Sequence, residues 1–129
     1  MSNTSVSAPA AVATWFEIPA ENFERAVTFY ETVLTTTLTR GHYGQGAVAV
    51  FPHAESAVTG AVVDRPGHSG ATGPIVYIDA GGPLDDALAR VRESGGRVGI
   101  PKTPIGGEMG YFAVIVDTEG NRVGLHAMS

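Results

Sequence analysis

Gly110-Tyr-Phe-Ala-Val-Ile-Val-Asp-Thr-Glu-Gly-Asn-Arg-Val-Gly-Leu-His126 is the stretch on which the fold turns. Apolar residues alternate up to Asp117-Thr-Glu-Gly120, a tight turn, and then alternate again. That pattern predicts two strands, near Glu108–Val116 and Asn121–Ala127, joined as a hairpin. A third strand is expected just before them, near Arg97–Ile100.

Further upstream, Pro74 to Asp79 reads as an apolar strand, followed by Gly81-Gly-Pro-Leu-Asp-Asp86. Pro83 suits the first position of a helix, and the two aspartates suit the positive end of its dipole. Leu84, Ala87, Leu88 and Val91 recur at helical spacing, and Gly95-Gly96 stops the helix. The same order of elements occurs earlier in the chain. Val12 to Ile18 alternates as a half-buried strand that Pro19 ends. Asn22 is placed to cap a helix whose apolar face is Phe23, Ala26, Val27, Tyr30 and Val33 or Leu34. Three short β-type runs follow, Thr36–Arg40, Gly46–Phe51 and Ala57–Asp64. The breaker-rich linker Arg65-Pro-Gly-His-Ser-Gly-Ala-Thr-Gly73 then separates two βαβββ units, spaced by about 60 residues. The expected class is α+β, with half-barrel sheets and the helices on the outer face.

A chain of 129 residues holds one domain or two small modules sharing a core. Residues 1–11, small and polar, read as a disordered tail and not a signal peptide. Residues 12–129 read as one domain, with module one at about 12–65 and module two at about 73–128. A net charge of −5 with only eight scattered Lys and Arg counts against nucleic acid as a partner. The absence of cysteine rules out disulfides, thiolate metal sites and cysteine nucleophiles, and points to the cytoplasm. No apolar run approaches the roughly 20 residues of a membrane span.

Trp15-Phe-Glu-Ile-Pro-Ala20 with Arg25-Ala-Val-Thr-Phe-Tyr-Glu-Thr-Val-Leu34 resembles the opening strand and helix of the vicinal oxygen chelate superfamily, which includes glyoxalase I, bleomycin-resistance proteins and extradiol dioxygenases. The hairpin through Asp117-Thr-Glu-Gly-Asn121 is similar to that superfamily's closing motif. The resemblance covers nearly everything after Val12 and implies paired βαβββ modules around a bowl. Metal-using members carry His or Glu at four inward places. Carried over here, those places give Ala13 or Thr14, the Thr59-Gly60-Ala61 stretch, Pro74 and Gly124, none of them a ligand. The expectation is therefore no metal and no cofactor.

Strand parity divides the remaining candidates. Trp15 and Glu17 lie opposite the helix-facing Phe16 and Ile18, so they face the bowl as an aromatic wall and a carboxylate. Glu17 is either a base or ligand hook, or is pinned by backbone donors or Arg122. His126 and Arg122 share the parity of Gly124. Arg122 offers a bidentate grip on an anion, or else is a surface arginine beside the turn. Tyr77 has the other parity and is expected against a helix, with Ile75 under Leu84, Leu88 and Val91. Met109 and Tyr111 border the bowl, and Pro101–Gly107 reads as a rim or lid. His42, His53 and His68 read as solvated.

Three functions fit this reading. The first is a metal-free, homodimeric small-molecule binding protein using Trp15, Glu17, Met109, Tyr111, Arg122 and His126. The second is a metal-free isomerase or lyase, with Glu17 as general base and His126 or Arg122 holding developing negative charge. The third is an interaction module with a vestigial pocket.

Overall fold

Among the described residues, ten elements follow one another in the order that the periodicity predicts, and hydrogen bonds sort their eight strands into two sheets. The computed structural model describes residues 11–44 and 46–129; the expected tail at 1–11 lies, but for its last residue, outside them. Module one comprises β1 (Trp15–Ala20), α1 (Phe23–Leu34), β2 (Thr39–Tyr43), β3 (Gly46–Val50) and β4 (Thr59–Asp64). Module two comprises β5 (Tyr77–Asp79), α2 (Leu84–Glu93), β6 (Arg97–Pro104), β7 (Tyr111–Val116) and β8 (Arg122–Ala127). The sheets are four-stranded and mixed, in the orders β1-β4-β3-β2 and β5-β8-β7-β6. The first and last strands of each module run parallel and the other pairs antiparallel. The fold is thus α+β with two βαβββ modules as expected, each sheet open on one side and neither a closed barrel.

α1 begins where Asn22 accepts a hydrogen bond from the Arg25 amide at 3.1 Å. It buries Ala26, Val27, Phe29, Tyr30 and Val33. Phe29, outside the predicted face, is buried because α1 packs on α2 as well as on its own sheet, and this widens its apolar stripe. Its ring lies edge-on to Tyr30 at 5.0 Å and presses on Gly96, where a Cβ would meet Phe29 Cε1 at 2.8 Å. Leu84, Ala87, Leu88 and Val91 of α2 join this cluster, so one core spans both modules.

Several boundaries move, each for a physical reason. β1 continues through Pro19 to Ala20, because β1 is a sheet edge and its outward N–H positions need no partner. Ala13 and Thr14 precede the strand. Pro83 caps α2 from outside in an extended conformation and is not its first residue. β6 runs through Pro101–Pro104, tolerating the prolines by two register shifts on an edge strand, so that part of the expected lid is sheet. Among the described residues, no helix is long and apolar enough to cross a membrane.

Candidate functional site

The strand registers equate the modules residue by residue. Ile18 pairs with Val62 in the first sheet and Ile78 with Leu125 in the second. Ile18 and Ile78 both sit on the helix side of their strands, in the core or against it. Glu17 therefore corresponds to Tyr77, Thr59 to Arg122, and Ala61 to Gly124. The opposite, helix-free faces of β1 and β5 carry Trp15, Glu17, Tyr77 and Asp79, all exposed.

Tyr77 departs from its expected place against a helix. Its strand is short and starts at that residue, so parity counted from Pro74 fails. Tyr77 pairs with Gly124 and is 52% exposed, with its ring across the glycine. A Cβ at Gly124 would fall inside that ring's carbon atoms. The ring also lies edge-on to Phe112, with centroids 6.1 Å apart. Ile78 takes the core position instead, packed against the apolar cluster.

Trp15 and Glu17 share the helix-free face. Glu17 is not a solitary carboxylate: the Trp15 indole donates to Oε2 at 3.2 Å, and an Arg65 guanidinium nitrogen lies 3.5 Å from Oε1. Its side chain keeps 38% of its exposure. The pinning partner is Arg65 from the linker, not Arg122. Glu17 and Arg122 instead line a common cavity of about 200 Å³ between β1, the linker and the start of β8. Arg122 donates through Nη2 to the Gly73 carbonyl at 2.9 Å, which uses part of the fork expected to grip an anion.

His126 lies on the same face, opposite Phe112 and Asp79. Its Nε2 is 2.7 Å from the Met109 carbonyl, so that nitrogen carries the hydrogen and donates. The imidazole thereby holds the turn entering β7. Four residues along β8 separate it from Arg122, roughly 13 Å, so the facing pair of Glu17 and His126 is replaced by Glu17 and Arg122. Met109 is 56% exposed beside that turn. Tyr111 departs from the expected rim: with Ala113 and Ile115 it faces the core, and Lys102 Nζ stands 4.5 Å from its ring centroid.

A larger cavity of about 970 Å³ opens between the edges of β1 and β5. Phe16, Phe51, Val58, Tyr77 and Ile78 make most of its walls apolar, and Phe16 stacks on Phe51 at 5.7 Å.

The hairpin turn does more than reverse the chain. Asp117, Glu119 and Asn121 are buried there and join the modules. Asp117 accepts from the Tyr30 hydroxyl at 2.6 Å, and Asn121 donates to the Pro19 carbonyl at 2.7 Å. Glu119 accepts from the Asn22 amide at 2.7 Å, from Arg25 Nε at 2.7 Å and from Arg25 Nη2 at 2.9 Å. Burial alone pushes the Glu119 pKa up, but the hydrogen bonds from Arg25, Asn22 and Thr118 outweigh it and bring the carboxyl down to about 2. Burial pushes the Asp117 carboxyl up, against its hydrogen bonds from Tyr30 and Asn121. Burial and then the neighbouring Asp117 charge push the Tyr30 phenol well up. The signal for this cluster was present as a polar Asp-Thr-Glu-Gly-Asn run beside an arginine-bearing helix, but a turn sequence alone does not show what covers it.

A pair of βαβββ modules with an open, helix-free face defines a scaffold class whose members differ in what lines that face. The sequence model of the Glyoxalase/Bleomycin resistance protein/Dioxygenase superfamily matches residues 13–125, and the chain belongs to that superfamily. Glyoxalase I from Zea mays superposes in a mutant form with a TM-score of 0.65 at 18% identity, over 89% of this chain and 45% of that one. This chain thus spans just under half the length of the maize protein. A glyoxalase/bleomycin resistance protein from Streptomyces sp. CB03234 superposes with a TM-score of 0.62 at 22% identity, covering 88% and 98%. The fosfomycin resistance protein FosX from Listeria monocytogenes gives 0.64 at 10% identity, covering 93% and 92%. No curated protein sequence matches the chain.

At two of the places where the resemblance puts metal ligands, the last strand of each module, the residues present offer no donor to a divalent ion. The last-strand place is Gly124, beneath the Tyr77 ring, and its counterpart in module one is Ala61, fully buried. Among the described residues, no group of three or more His, Asp or Glu is disposed to hold one.

Proposed function

We propose that this chain is a metal-independent small-molecule binding protein, whose ligand lies over Trp15 and Tyr77 at the seam between the modules. One observation carries the reading: the Tyr77 ring covers Gly124, the place of the family's metal-binding carboxylate. An aromatic face replaces a coordinating group, and the apolar cavity of about 970 Å³ beside it falls in the range of small-molecule sites. Two copies pair through the exposed sheet edges and their aromatic neighbours, as small open-sheet domains commonly do.

Trp15 is the single tryptophan and stands on that face, so its emission reports occupancy. Titration with a panel of planar aromatic compounds is expected to quench it saturably, with the effect lost in Tyr77→Ala and unaltered by a chelator. Stoichiometric zinc, nickel or iron in tag-free protein, or quenching that requires added metal, overturns the proposal. A second reading, a metal-free isomerase or lyase, is favoured by Glu17 lining the seam cavity at 38% side-chain exposure. Glu17→Gln separates the two: turnover lost with binding intact means a general base.

A further inference from the structure

The linker between the modules is suspended between two backbone anchors. At one end the Arg65 N–H donates to the Ala20 carbonyl at 3.2 Å, and at the other the Gly124 N–H donates to the Val76 carbonyl at 2.8 Å. Between them, among the described residues, the backbone–backbone hydrogen bond is internal, from the His68 N–H to the Arg65 carbonyl at 3.2 Å. Residues 66–74 are exposed apart from Ser69, which is half-buried. A segment with so little buried surface opens at a small fraction of the cost of global unfolding.

Side chains hold the span down. Glu21, just ahead of the α1 cap, accepts from the Gly67 N–H at 2.7 Å and from the Ser69 hydroxyl at 2.7 Å. The Ser69 hydroxyl and then the Gly67 amide keep the Glu21 carboxyl below its ordinary pKa. Asn121 Oδ1 accepts from the Gly70 N–H at 3.0 Å, and Arg122 Nη2 donates to the Gly73 carbonyl at 2.9 Å. Gly67 and Gly73 stand near the two ends of the span with φ of 86° and 94°. A Cβ on either would meet nothing within 4 Å, so the backbone conformation and not the space calls for glycine there. Element ends of this kind absorb the dihedral change when a lid moves. Beneath the span lies the cavity of about 200 Å³, walled by His68, Ser69, Gly70 and Thr72 from the linker and by Glu17 and Arg122 from the sheets.

We infer that residues 66–75 are a lid over the seam cavity, latched by Glu21 and Asn121 and lifting as one piece between the Arg65 and Val76 anchors. Lifting removes one wall of the cavity and releases the Arg122 guanidinium from Gly73. The lid is observable without any ligand, so the small-molecule reading above stands or falls separately.

The test compares the full chain with Glu21→Ala. Amide exchange with solvent, followed residue by residue by NMR, reads the opening. The Gly67 and Gly70 amides are expected to exchange about tenfold faster in the variant, as the loss of one or two hydrogen bonds from the latch requires. Gly70 decides the matter, because its acceptor is Asn121 and not Glu21. The anchor amides of Arg65 and Gly124 and the core amide of Leu125 are expected to keep their rates. Ser69→Ala, which removes one latch bond and leaves Glu21 in place, is expected to give a smaller rise in the same two amides. Labelling of Arg122 by phenylglyoxal, read by peptide mass spectrometry against the exposed Arg40, is expected to rise by the same factor as Gly70, since both report the open population. Acceleration confined to Gly67 overturns the single-piece lid. A rise shared with Leu125 marks general destabilisation and overturns it as well. Unchanged labelling of Arg122 overturns the lid's control of the cavity.

Discussion

Gly124 and Gly60 show how one missing Cβ is used differently in equivalent strands. The three atoms nearest a Cβ at Gly124 all belong to the Tyr77 ring, which is half-exposed and able to turn aside. A Cβ at Gly60 meets the Phe16 carbonyl oxygen as well as its ring, and backbone does not turn. Gly124→Ala is expected to cost about 1–3 kcal/mol, as overpacking does. In a Tyr77→Ala background the same change costs less; Gly60→Ala costs more than either. Chemical denaturation of the four variants measures the coupling directly. Glu119 makes the second residue-scale prediction. Its folded pKa of about 2 lies below its ordinary value of 4.5, so its stabilisation is complete above pH 4.5 and lost as pH falls toward 2. Asp117 works in the opposite direction: its raised pKa favours the fold fully below its ordinary 3.8, and that contribution is lost as pH rises through the folded value. Glu119→Gln is therefore expected to remove the loss of stability between pH 4.5 and 2. At neutral pH it costs on the order of 2 kcal/mol, since Arg25 is half-exposed and screened. Urea melts across that pH range test both statements.

At the level of elements, α1 depends on its first turn more than its apolar stripe suggests. Asn22 caps the helix with its side chain and gives its own N–H to Glu119 in module two, so a local cap and an inter-module contact meet at one residue. Asn22→Ala is expected to cost about 1 kcal/mol, with Asn22→Asp near neutral. A larger loss for the aspartate, measured by thermal unfolding, would point to repulsion from Glu119 in place of capping. β1 carries a second lesson. Pro19 punctuates a sequence but need not end a strand at a sheet edge, and the carbonyl it retains accepts from Asn121. Edge position, which decided this, is a property of the sheet and not of the strand.

At the scale of the molecule, the cluster containing Phe29, Tyr30, Leu84, Val91, Ile115 and Leu125 is shared by both modules. Neither βαβββ unit encloses its own apolar surface. A fragment of residues 73–129 is expected to lack cooperative unfolding by circular dichroism, and to regain structure on mixing with residues 11–72. A cooperative transition in the isolated fragment would show two independent domains. The proposed homodimer belongs to this scale too. Trp15, Tyr43, Tyr77 and Ile100 leave 40%, 60%, 52% and 45% of their surface exposed, apolar surface that pairing of two copies would cover. Sedimentation equilibrium is expected to give twice the chain mass, and a concentration-independent monomer would refute the pairing.

Periodicity, turn residues and the repeat by themselves determined both modules, their element order, the capping Asn22 and most of the core, because each depends on neighbours within one turn or one strand. Parity placed Trp15, Glu17, Arg122 and His126 on the right face for the same reason. It misplaced Tyr77, since parity counts only from a known strand start, and β5 begins later than its apolar run. Only the tertiary structure decided which of these side chains meet. The pairing of Glu17 with Arg65, its shared cavity with Arg122, the Tyr77 ring over Gly124 and the burial of Asp117 and Glu119 against α1 all join residues far apart in the chain. Such contacts are set by how two sheets and two helices pack, and no local pattern encodes them.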